Sequence, residues 1–168
     1  GGGAVALAAT FAMWAVMMIA MMLPTVAPSA FLFSSLSARR DPAHCKRATA
    51  LYVVGYTACW IVFAAQAAVL QWTLTSSLLL DGMARSTSTW LSSAILLAAG
   101  FYQFTPLKQA CLSKCRTPLG FFIAEWRDGT LGALLLGMRH GGYCVACCWV
   151  LMAVMFVVGA MNLAWMGL

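Results

Sequence analysis

The residues best suited to chemistry in this chain are its sulfur donors. Cys111 and Cys115 are four apart, a spacing that puts both thiols on one face of a helix, and Cys144, Cys147 and Cys148 form a C-x-x-C-C cluster. Cys144, Cys148, Met152 and Met155 share a stripe at helical spacing, while Met17 and Met21, and Met18 and Met22, are paired four apart. Thiolate and thioether are soft ligands that favour Cu(I). Zinc and an iron-sulfur cluster compete, but both prefer thiolate and make little use of methionine. The candidate metal ligands are therefore Cys111, Cys115, Cys144, Cys147, Cys148, Met152, Met21 and Met22, with copper (Cu+) as the favoured ion. His140, between Arg139 and Gly141, reads either as a further ligand or as a polar anchor. A plain packing reading stands beside these: methionine fills gaps in membrane cores, and free cysteine packs as a small apolar residue. Cys59, alone in an apolar run, reads as packing, and Cys45 beside His44 sits in a basic loop.

The elements that must position these donors are apolar. Of 168 residues 63% are hydrophobic and only 8% charged, against about 25% charged in an average soluble domain, and the mean hydropathy is +0.89. Residues 4–38, 48–80 and 141–168 carry no formal charge, and each stretch exceeds the roughly 20 apolar residues that cross a bilayer. The chain reads as an all-α, polytopic transmembrane helix bundle. The sequence predicts about four spans: Ala4 to Leu23, stopped by Pro24; Ala48 to Leu70; Trp90 to Leu107, stopped at Pro106 and Lys108; and Tyr143 to Leu168. Thr130 to Met138 is too short to cross and reads as an interfacial or re-entrant helix. Residues 1–168 form one transmembrane domain whose ends look cut from a longer multi-span protein. A signal peptide fits the first apolar run less well, because no small-residue cleavage pattern follows it.

The net charge of +6 does not point to nucleic acid, since the cations lie in short loops between spans. Four Lys and Arg fall in the first loop, one in the second and five in the third, so loops one and three are expected to face the cytoplasm. That topology gathers Met18, Met21 and Met22, Cys111 and Cys115, and Cys144 to Cys148 near the cytoplasmic interface, where thiols rather than disulfides are the default. Lys108, Lys114 and Arg116 suit lipid headgroups and also favour the thiolate form of neighbouring cysteines. Gly55, Gly100 and Gly159 would let helices approach closely, and Gln66, Gln103 and Asn162 could bond between helices. No enzyme signature is present: there is no phosphate loop and no His-Glu-x-x-His, and Asp41, Asp81, Glu125 and Asp128 all fall in loops.

At these residues the chain resembles a family of bacterial integral membrane proteins labelled predicted metal-binding. The matching elements are Ala20-Met21-Met22-Leu23-Pro24; Tyr102-Gln103-x-Thr105-Pro106-Leu107-Lys108-x-x-Cys111-Leu112-x-x-Cys115-Arg116-x-Pro118-Leu119; Gly137-x-Arg139-His140-Gly141-x-Tyr143-Cys144-x-x-Cys147-Cys148-Trp149-x-Leu151-Met152; and Gly159-x-Met161-Asn162-Leu163-x-Trp165-Met166. One departure is Ala146, where the family commonly has glycine. The resemblance implies a multi-span protein of the bacterial inner membrane with further helices on either side of this stretch, and it brings no established activity.

The leading functional reading is a membrane protein that binds Cu(I) for handling or delivery, surrounded by membrane lipids and working with other membrane subunits. The alternatives are an accessory subunit of a larger membrane complex, a mercury-type soft-metal transporter using the Cys147-Cys148 pair, and a thiol redox protein using Cys144 and Cys147.

Overall fold

The computed structural model describes residues 2–77, 79 and 88–158. Asp81, Arg85, Gly159, Asn162, Trp165 and the side chain of Met155 lie outside the described residues. Those described form six helices: α1 (Gly2–Arg40), α2 (Cys45–Ser76), α3 (Thr89–Gln103), α4 (Pro106–Arg116), α5 (Pro118–Glu125) and α6 (Gly129–Val158). Three segments, α1, α2 and Gly129–Val154 of α6, are long and apolar enough to cross a membrane by length and composition.

Pro24 does not end the first helix. It and Pro28 sit on the exposed side of α1, while Trp14, Met18, Met22, Val26, Ser29, Phe33 and Ser37 form one buried stripe at steps of three and four. A proline costs a helix interior about 3 kcal/mol, and the helix continues through both with its buried stripe unbroken on the opposite side. It ends instead before Pro42, whose ring disfavours helical geometry at Asp41.

The buried stripe of α1 packs antiparallel on α2. At one end Trp14 Nε1 donates to Gln71 Oε1 at 2.6 Å, and at the other the Phe33 ring stacks on Tyr52 with centroids 4.8 Å apart. Helix α6 lies on another face of α2 and runs parallel to it, with Gly55 against Leu134, Gly137 against Tyr52 and Gly141 against Tyr56. A Cβ at Gly137 would strike the Tyr52 carbonyl oxygen, and one at Gly55 the Leu134 carbonyl oxygen. Residues without a side chain let the two backbones approach this closely. Gly55 serves this approach as expected, whereas Gly100 faces open space.

Two parallel neighbours require the chain between them to return, and α3, α4 and α5 do so. Tyr102 bonds the Ala146 carbonyl oxygen, and Phe121, further along the chain, packs on His140 with centroids 5.4 Å apart, so the segment descends antiparallel to α6. The expected third span is thus interrupted. Its helix α3 has 15 residues, about 22 Å at 1.5 Å per residue and short of the roughly 30 Å hydrocarbon core. The chain breaks at Phe104 and Thr105 and restarts with Thr105 as N-cap and Pro106 in the first turn, where a missing N–H costs nothing. The short piece expected at Thr130 to Met138 is instead the first part of α6. Arg139, which breaks the apolar run in sequence, points outward and pairs with Glu125 at 2.9 Å.

The first and third loops meet at one end of the bundle. Arg40, after which α1 stops, lies 3.8 Å from Asp128, just before α6, and its guanidinium sits over the Trp126 ring.

Candidate metal centre

The return segment brings cysteines to cysteines. On α4, Lys108, Cys111 and Cys115 recur at steps of three and four, which places them on one face, and Lys108 and Cys111 are buried. On α6 the same periodicity aligns His140, Cys144, Cys147 and Cys148. Cys144 is the sixteenth residue of the 30-residue α6. The cluster therefore sits half-way along that helix, about 22 Å from its start, rather than at the head of a span. The cations of α4 accompany it there instead of lying in a loop at the end.

The sulfurs of Cys115, Cys144 and Cys147 lie within 4.8 Å of one another, with Cys144 and Cys147 buried and Cys115 half-buried. Three sulfurs bound to one ion at about 2.3 Å, the zinc–thiolate length, would stand about 4 Å apart in a trigonal plane, so small side-chain adjustments suffice to close the group on a metal. Cys148 Sγ is 3.3 Å from Cys147 Sγ but outside that mutual group. All seven cysteines are free thiols. Burial raises the Cys111 pKa and the nearby charge of Cys147 raises it further, while hydrogen bonds to Cys144 and Cys147 keep the proton on Cys115.

A tyrosine pair on α2 supports the site. Tyr56 Oη donates to Cys144 Sγ at 3.2 Å, and Tyr52 Oη pairs with His140 Nδ1; both rings are buried. His140 is enclosed by the Phe121, Tyr52 and Tyr56 rings. Because Tyr52 occupies Nδ1, any ligation by His140 must use Nε2. The tyrosines were not among the candidate ligands, although the Tyr52-x-x-Gly55-Tyr56 spacing in an apolar helix puts two hydroxyls and a contact glycine on one face.

A family model described as PpoB2: Copper chaperone matches residues 11–168. The chain belongs to this family. No curated protein and no solved structure matches it. For a PpoB2 copper chaperone family member, a compact group of thiols drawn from two separate elements is the relevant chemistry: such a group could hold a metal ion, and copper is the ion the family description names.

The other candidate residues fall elsewhere. Cys45 pairs with Ser34 near the α1–α2 turn, with the sulfur 3.6 Å from the hydroxyl, and Cys59 turns to the Met138 carbonyl oxygen at 3.2 Å. Helix α1 packs on α2 and α5. The Phe33–Tyr52 and Trp14–Gln71 contacts set Met22 level with Phe63, and the Tyr56–Cys144 contact sets Phe63 level with Leu151 and Met152. Met22 and Met152 thus share a height, about 10–12 Å along the bundle from Cys144. Both belong to the same buried core as Cys144, and Met21 is half-buried beside it.

Proposed function

We propose that the protein is a membrane-embedded copper chaperone that carries Cu(I) as cargo on Cys115, Cys144 and Cys147. The observation that carries this reading is the set of three thiols within 4.8 Å, from two elements, in a chain of the copper chaperone family. Three soft donors suit Cu(I), whereas a structural zinc site takes four. Loading is ligand exchange without redox change: each thiol loses its proton to water as its sulfur–copper bond forms. Delivery reverses it, with a partner's thiolate bonding the ion as one chain sulfur leaves. The buried Lys108, on the same face of α4 as Cys111 and Cys115, donates to Gln103 Oε1.

The bacterial inner membrane is the proposed setting. Support comes from the outward apolar side chains Val16, Phe31, Val62, Phe101 and Ile123, which would form an adhesive surface in water. The basic end, with Arg39, Arg40, Lys46, Arg47 and Arg127, is placed at the cytoplasmic face. Helices α4 and α5 then re-enter the bundle, with Lys108, Cys111, Phe121 and Phe122 turned to its interior. Lipids and a copper-receiving membrane protein are the proposed partners.

The test is Cu(I) binding by the purified chain in detergent, measured against a chromophoric Cu(I) chelator. Replacing Cys115, Cys144 and Cys147 together with Ser should abolish high-affinity binding, while Cys45→Ser with Cys59→Ser should leave it intact. Retention of copper by the triple variant would sink the assignment, and absence of binding by the native chain would favour an accessory subunit.

A further inference from the structure

A cavity of about 270 Å³ lies where the first and third loops meet, walled by Phe33 and Trp126 and lined by Ser37, Arg40 and Arg127. None of the thiols proposed to carry copper borders it. Its acceptors are already engaged. Asp41 receives the His44 backbone N–H at 3.2 Å and lies 3.0 Å from His44 Nδ1, and Asp128 receives the Trp126 indole N–H at 2.9 Å. Its donors are not. Ser37 is only 6% exposed, yet among the described residues its hydroxyl has no hydrogen-bond partner on the cavity wall. Arg127 has no ion pair among the described residues, and Arg40 stands 3.8 Å from Asp128, too far for a hydrogen bond, with its guanidinium over the Trp126 ring. Two helices also begin at this cavity, α2 beside His44 and α6 with Gly129, and neither has an acidic residue in its first turn. Their unbonded first N–H groups add partial positive charge to that wall.

We propose that this cavity binds a phosphate group, carried by a phospholipid headgroup or by a soluble phosphate ester, with Ser37, Arg40 and Arg127 as its donors. A phosphate presents only acceptors, and charge-assisted bonds from arginine to such oxygens are among the stronger ones a protein makes. A cation would instead need the two carboxylates, which His44 and Trp126 already occupy. The rings of Phe33 and Trp126 offer an apolar wall to the carbons next to the phosphate, and the volume lies just below the roughly 300 Å³ at which small-molecule pockets begin. The site shares no residue with the thiol group, so it stands or falls independently of copper.

The test is titration of the purified, delipidated full chain in detergent with dihexanoyl phosphatidylglycerol and, separately, with glycerol phosphate, read by native mass spectrometry and by melting temperature. Saturable binding of one ligand per chain is expected, with a rise in melting temperature because the ligand binds the folded state. Ser37→Ala and Arg40→Gln should each weaken it about tenfold. Lys46→Gln removes a charge from the same end but not from the cavity, and should leave it unchanged. Ser37→Ala adds no bulk, and its retained Cu(I) binding reports that it is folded, so it decides the matter even if Arg40→Gln fails to fold. Binding of the lipid with glycerol phosphate inert assigns a headgroup; equal binding of both assigns a soluble ester. No binding of either, binding unchanged in Ser37→Ala, or equal weakening by Lys46→Gln overturns the site. Binding of manganese that is lost in Asp41→Asn, with glycerol phosphate inert and the lipid unbound, overturns it in favour of a cation.

Discussion

The Tyr56 hydroxyl donates to Cys144 Sγ at 3.2 Å, across the interface where α2 and α6 approach most closely. This bond fixes the direction of the Cys144 sulfur and stabilises its thiolate in a buried setting where water cannot do so. Partners of this kind around metal ligands are worth about 10–100-fold in metal affinity. Tyr56→Phe should therefore weaken Cu(I) binding at least about 10-fold and shift the thiolate-to-copper absorption band, with copper stoichiometry unchanged. Tyr52→Phe is the control, because its hydroxyl meets His140 rather than a sulfur. Equal effects of the two variants on the absorption band would show that Tyr56 acts only by packing.

The approach that makes this bond depends on Gly137. A Cβ there would overlap the Tyr52 carbonyl oxygen, which is backbone and cannot swing aside. Gly137→Ala should destabilise the fold by about 1–3 kcal/mol, the usual range for overpacking, and should weaken copper binding as Tyr56 is pushed away from Cys144. Gly142 meets nothing, so Gly142→Ala should be neutral or stabilising by up to about 1 kcal/mol through helix propensity. Thermal unfolding in detergent compares the two, and equal melting temperatures would refute the close-approach argument.

The thiols were legible in the sequence because their spacing is local: Cys111 with Cys115, and Cys144 with Cys147 and Cys148, each announce a shared helix face. The all-helical character and the shared end of the first and third loops were legible too, from uncharged runs and the placement of cations. The parallel packing of α2 on α6 was not, because it rests on which glycines face which carbonyls, a property of two elements separated by about 80 residues. Arg139 misled in a definite way, since a charge inside an apolar run marks a break only when no partner is at hand, and Glu125 supplies one. Pro24 misled similarly, because it lies on the side of α1 away from the buried stripe, where the packing that holds the helix together does not need it.

The methionines of α1 offer a sharper test of the site's extent. Met22 is level with Met152 and about 10–12 Å along the bundle from Cys144, beyond the reach of a bond to the same ion. Changing Met21 and Met22 together to Leu conserves volume and should cost less than about 1.5 kcal/mol. The double variant is expected to keep its copper stoichiometry and affinity. Loss of copper with an unchanged melting temperature would instead bring α1 into the ligand set.

The position of Cys115 depends on how the return segment is fastened below it. Glu125, at the end of α5, accepts from Arg139 at 2.9 Å and from the Tyr143 hydroxyl at 3.4 Å, and its side chain is only 14% exposed against 52% for Arg139. The half-exposed arginine limits what the pair contributes, to about 1 kcal/mol once solvent screening is counted, but the carboxylate still needs its partners. Glu125→Ala should loosen α5 from α6 and, through the one-residue link at Thr117, free Cys115 from the cysteines of α6. The expected result is a modest fall in melting temperature with a larger loss of Cu(I) affinity, because the thiol group depends on two elements staying in register. Arg139→Ala should show the same pattern more weakly, since Tyr143 continues to hold the carboxylate. If Glu125→Ala lowers the melting temperature without changing copper affinity, Cys115 is held by α4 packing alone.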